Sequence, residues 1–127
     1  MWLPLLGLLI GIVIGSALYV PIPGTFAKYL SVAVLAALDS VFGGLKSIVE
    51  DRFDSTILLT GFFTNALLAA LLAYLGDRLG IDLYLAAVFA FGVRIFQNLA
   101  IIRRGILSNW KKKKDSLAAR EEKNGEA

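Results

Sequence analysis

The chain has neither cysteine nor histidine among its 127 residues. These absences exclude disulfides, thiolate nucleophiles, thiolate or imidazole metal sites and proton transfer by imidazole, and much of enzyme chemistry goes with them. Charge is sparse over most of the length: residues 1–102 carry five basic and six acidic side chains. There is no phosphate loop, no nucleophile elbow and no pair of carboxylates in a soluble cleft. The expectation is a protein that is not an enzyme and needs no cofactor or metal.

What the chain has instead is apolar residues. They make up 57% of the sequence, with a mean hydropathy of +0.72, more than a soluble domain of this length hides in one core. About 20 apolar residues cross a bilayer, so the length allows three or four crossings, short loops and a tail. A second folded domain does not fit.

The fold class expected is an all-α membrane protein, a compact bundle of four hydrophobic helices. The spans are expected at about 2–20, 26–46, 55–75 and 83–103, forming a transmembrane domain over 1–104, with a basic polar tail over 105–127. The first run stops at Pro21-Ile22-Pro23-Gly24. It reads as an uncleaved anchor, because a signal peptide would carry a positive n-region. The second starts near Thr25 as N-cap, contains Asp39 and reaches Gly43-Gly44, where it either breaks or continues. If this helix instead ran on to Glu50, Asp39, Gly43, Lys46 and Glu50 would share one face, and its lower half would be wet or packed on protein. Asp54-Ser55 cap the third span and Gly76-Asp77-Arg78 close it; Asp82 caps the fourth. The short connection between spans three and four makes them an antiparallel hairpin.

Positive charge gathers at one end. Residues 103–127 hold eight basic against four acidic side chains. The positive-inside rule then places the C-terminus in the cytoplasm, with Lys46 and Arg52 on the same side and Lys28 and Arg78 opposite. A three-span alternative lays the second segment in the interface and moves Lys28 inside. Lys111, Lys112, Lys113 and Lys114, just past Trp110, attract anionic lipid headgroups at about 1 kcal/mol each. The last residues of the tail are expected to be disordered. The same lysines do not call for nucleic acid.

Two sets of residues stand out inside the spans. Gly7, Gly11 and Gly15 recur every fourth residue and form a face that another helix can approach, either within the chain or from a second copy. Asp39, Asn65 and Arg94 fall at similar depth when the helices are aligned from their cytoplasmic ends. A lone Arg or Asp at mid-bilayer costs on the order of 2.5–3.5 kcal/mol. An Asp39–Arg94 ion pair is therefore expected, completed by Asn65 and by Gln97 or Asn98. Such a layer either fixes helix register or binds a solute or ion.

Four stretches also resemble a known family: Ala37-Leu38-Asp39-Ser40-Val41-Phe42-Gly43-Gly44, Glu50-Asp51-Arg52-Phe53-Asp54, Gly61-Phe62-Phe63-Thr64-Asn65, and Ala86 through Leu99 with Arg94, Gln97 and Asn98. They resemble the bacterial small basic protein family, short membrane proteins of unknown function, over most of residues 1–104. Genes of that family often lie near cell-division genes, so the resemblance implies a role near the division or envelope machinery of the cell membrane. The leading expectation is a structural or interaction component, with a homo-oligomer or another membrane protein as partner. The alternative is a solute- or ion-binding component of a transport system.

Overall fold

The computed structural model describes the backbone of residues 2–126 and the side chains of residues 5–126. Local chemistry sets where each helix begins and ends. The first helix, α1 (Trp2–Ala17), stops before the expected Val20. Val20 precedes Pro21, whose ring disfavours the helical conformation in the residue before it, and the Ser16 hydroxyl caps the turn by donating to Val13 O at 2.9 Å. The next helix, α2 (Ala27–Val49), is entered from a single 3-10 turn, Gly24–Phe26, and not from a Thr25 cap. The backbone N–H of Phe26 reaches Pro23 O at 2.9 Å and satisfies the entry without a side chain.

Of the two readings at Gly43-Gly44, the break does not occur, and α2 runs on to Val49. Gly44 is buried against the following helix: a Cβ there would lie 3.2 Å from a methyl of Leu58. The missing side chain is used for close approach and not for a bend. Beyond α2 the chain reverses through Asp51 at φ 55, a left-handed position that Asp tolerates better than most residues.

Helix α3 (Ser55–Leu79) begins as expected, with the Asp54 carboxylate accepting from Thr56 N–H at 2.8 Å and Ile57 N–H at 3.3 Å. It does not close at Gly76. It continues to Leu79 and ends on Gly80 in the left-handed region, φ 69. Gly76 serves the hairpin instead: a Cβ at this buried position would collide with Ile81 O and lie 3.0 Å from Leu83 N. Helix α4 (Tyr84–Gly125) starts without a side-chain cap, because the Asp82 carboxylate is engaged elsewhere. It is 42 residues long and includes the basic tail, whose last residues were expected to be disordered.

Helices α2, α3 and α4 form the bundle, α2 antiparallel to α3 and parallel to α4, so α2 packs lengthwise with its neighbours. On α2, Val32, Ala36 and Asp39 recur at i, i+4 and i+7 and are all buried. Ala69, Ala87 and Phe91 complete the apolar core. Small residues at these positions let the helices approach closely, as in membrane bundles generally. Each of the three helices carries a stretch long and apolar enough to cross a membrane. Large side chains such as Phe89, 75% exposed, cover their outer faces, as expected where hydrocarbon replaces water. The molecule is an all-α membrane bundle.

Helix α1 stands apart. At 16 residues it is about 24 Å long, short of a hydrocarbon core of about 30 Å. Only Leu5 and Leu8 are half-buried among its described side chains. Nothing lies within 4 Å of where a Cβ would sit on Gly7, Gly11 or Gly15, so the glycine face does not pack on a helix of this chain.

Candidate functional site

A polar cleft of about 410 Å³ opens between α2, α3 and α4 at the end of the bundle where α2 finishes and α3 begins. Because α2 is continuous, Asp39, Gly43, Lys46 and Glu50 line up on one face and all border this cleft. From α3 come Gly61 and Asn65; from α4 come Arg94 and Asn98. Arg52 and Asp54 stand at the mouth.

At the inner end, Arg94 Nη2 lies 3.3 Å from Asp39 Oδ2. The two partners differ in environment: the Asp39 side chain is 1% exposed, whereas the Arg94 side chain is 52% exposed and borders the cleft. The second carboxylate oxygen, Asp39 Oδ1, is buried with no hydrogen-bond partner. Such a group is unusual, since burying a carboxylate oxygen without a donor is expensive. Asp39 lies ten residues from Val49, about 15 Å along the helix axis, so the cleft reaches roughly half-way across an apolar layer.

The expected ion pair is formed, and its expected hydrogen-bond shell is not. Asn65 and Asn98 border the same space without bonding to the carboxylate. Gln97 is exposed on the outer face of α4 and does not border the cleft. Three residues past Arg94 is far enough round the helix to leave the cleft, while four residues brings Asn98 back.

Near the mouth the charges are partly spent. Arg52 Nη2 pairs with Glu50 Oε2 at 2.8 Å, and Asp54 is held by the N-terminus of α3. Lys46 has no ion-pair partner among the described residues. The unspent groups are thus Lys46, most of the Arg94 guanidinium and Asp39 Oδ1. Among the described residues no cluster of carboxylates could hold a metal ion.

Sequence reasoning missed a second cluster at the opposite end. Lys28 Nζ bridges Asp77 Oδ1 at 3.0 Å and Asp82 Oδ1 at 3.3 Å, and the Tyr29 hydroxyl donates to Asp77 Oδ2 at 3.1 Å. Lys28 also lies 5.4 Å from the Tyr84 ring centroid. Asp77 and Asp82 had read as turn and cap residues. The available signal was two carboxylates flanking one hairpin, with a single lysine at the matching end of α2. The lysines 111–114 sit on the exposed extension of α4.

Residues 22–107 match the model of a family described as a protein of unknown function, DUF1290. The chain belongs to that family. Among its relatives, the "Small basic protein" of Bacillus subtilis (strain 168) is 53% identical over 110 residues, covering 87% of this chain and 91% of the relative. The "Uncharacterized protein Rv1824" of Mycobacterium tuberculosis (strain ATCC 25618 / H37Rv) is 43% identical over 99 residues, covering 76% and 82%. The family match spans every residue of the cleft and leaves out all of α1 and the end of α4. No solved structure matches the chain.

Proposed function

We propose that this protein is a non-enzymatic, multi-pass component of the cell membrane whose working part is the polar cleft, and that the cleft receives a polar or charged ligand from the cytoplasmic side. The observation that carries this reading is the Asp39 carboxylate, buried and one oxygen short of a partner at the inner end of a polar cleft. A layer built only to fix helix register would be dry and fully paired. Ionisable groups at membrane depth mark ligand sites by default. Orientation rests on charge: Arg103, Arg104 and the lysines 111–114 lie on α4 toward and beyond the cleft end of the bundle, the side that faces the cytoplasm by the positive-inside rule. The same lysines then lie within reach of anionic headgroups.

The chain has no cysteine of its own, which makes the test direct. Single cysteines at Asn65 and Ser47 should react with a membrane-impermeant thiol reagent from one face only, while Phe96→Cys on the outer surface should not react. An Asn65→Cys protein unreactive from both faces would mean a dry layer and end this reading.

A second reading, an interaction component of the envelope or division machinery, is favoured by α1, whose glycine face is left unpacked. It requires a second copy or another membrane protein to be crosslinked through α1. Loss of the crosslinks in Gly11→Leu supports it, and intact crosslinks exclude that face.

A further inference from the structure

An apolar groove of about 660 Å³ runs between α1 and the α2–α3 pair, bordered by Gly7, Gly11, Ala37 and Leu59 among others. Ser40, Leu58 and Phe62 border both this groove and the polar cleft. The two spaces therefore back onto each other across a seam of three side chains. In a bilayer an open apolar groove is in contact with hydrocarbon, and the ligand that matches a charged cleft beside it is an amphiphile.

We infer that the cleft and groove together hold one phospholipid, its headgroup in the cleft and an acyl chain in the groove; this inference rests on the cleft being a ligand site. The unspent groups specify the headgroup. Lys46 and the free N–H groups of Arg94 call for an anion, and a phosphate accepts from a guanidinium in bidentate fashion. Asp39 Oδ1 lacks a donor, and an ammonium group a few bonds from the phosphate supplies one. The headgroup class is zwitterionic, a phosphate bearing a primary amine. The glycine stripe gains a use in this arrangement: Gly7 and Gly11 leave the groove open on the α1 side because neither carries a side chain to fill it.

The test uses the full chain in detergent, with single cysteines at Ser47 or Asn65 as reporters. Three probes are compared: dioctanoyl phosphatidylethanolamine, glycerophosphoethanolamine and dioctanoylglycerol. The intact lipid should slow thiol labelling at concentrations at least about tenfold below those required of the tail-free headgroup, since chain burial adds affinity. Dioctanoylglycerol should not protect. Arg94→Gln should weaken protection by the intact lipid by about 10- to 100-fold through loss of a charged hydrogen bond. Should that variant fail to fold, Lys46→Gln near the mouth and Gly11→Leu in the groove each replace it, and each should weaken protection by about tenfold. Equal protection by glycerophosphoethanolamine and the lipid would overturn the phospholipid while leaving a solute site in place. Labelling that no probe slows would also overturn it. A cleft that never labels would end the underlying reading itself.

Discussion

The two ends of the three-helix bundle are built from the same helices and behave as opposites. At the hairpin end, Ala69, Ala73, Gly76 and Ala87 are buried and bring the backbones together, and Lys28 ties α2 to both sides of the hairpin. At the other end, Asn65, Arg94 and Asn98 occupy corresponding positions on the inward faces, and the helices leave a cleft. Side-chain size and polarity along one stripe are enough to produce a closed end and an open end. The closed end is held by close packing and ion pairs, and the open end leaves polar side chains around a cleft.

The strongest way to break the contrast is at Gly76. Gly76→Leu forces side-chain atoms into Ile81 O and Leu83, and should destabilise the bundle by about 3 kcal/mol or more. Loss of folded protein in a reversible detergent-unfolding titration checks it; near-normal stability would mean that the hairpin end is not the anchor.

Next comes the ion pair. Arg94→Leu leaves Asp39 alone and should cost about 2–3 kcal/mol, less than a fully buried pair because Arg94 is half exposed. The double variant Asp39→Leu, Arg94→Leu should regain the lost stability or exceed it, since an apolar pair packs without desolvation cost. Recovery of stability together with loss of ligand protection at Asn65→Cys would separate the site from the scaffold. A double variant no more stable than the single would make the pair structural.

Lys28→Ala removes two exposed pairs and a ring contact, and should lower stability only slightly, a difference that high salt mostly abolishes. The smallest effect belongs to Gly11→Ala, which adds a methyl where nothing lies within 4 Å and should change stability by less than about 0.5 kcal/mol. A larger change in a bilayer than in detergent would reveal a neighbour covering α1.

Much of this contrast could be read from the residues. Apolar runs placed four spans, of which α2, α3 and α4 are long and apolar enough to cross a membrane, and the energetic penalty of a lone intramembrane charge paired Asp39 with Arg94. The i+4, i+7 and i+11 pattern from Asp39 to Gly43, Lys46 and Glu50 also described the cleft wall, on the condition that α2 continued past its glycines. What the sequence hid was the use of glycine. At Gly43-Gly44 and Gly76 the chain reads as punctuation, yet the helices pass straight through, because tertiary packing rewards a missing side chain more than propensity penalises it. Capping failed for a similar reason. Thr25 and Asp82 are good local caps, but a 3-10 turn replaces one and Lys28 captures the other. The tail was misjudged because composition describes solvation and not conformation: a polar, lysine-rich segment that follows directly on a helix can extend it without packing on anything.

That extension has a mechanical consequence. From Gly105, where α4 last packs against Val49 of α2, to Gly125 the helix is an unbroken, unpacked rod of about 30 Å. A tilt of about 10° where it leaves the bundle sweeps its far tip through about 5 Å by simple lever geometry at this helical rise. A small adjustment of α4 against α2 is thereby carried outward past the lysines without any joint to absorb it.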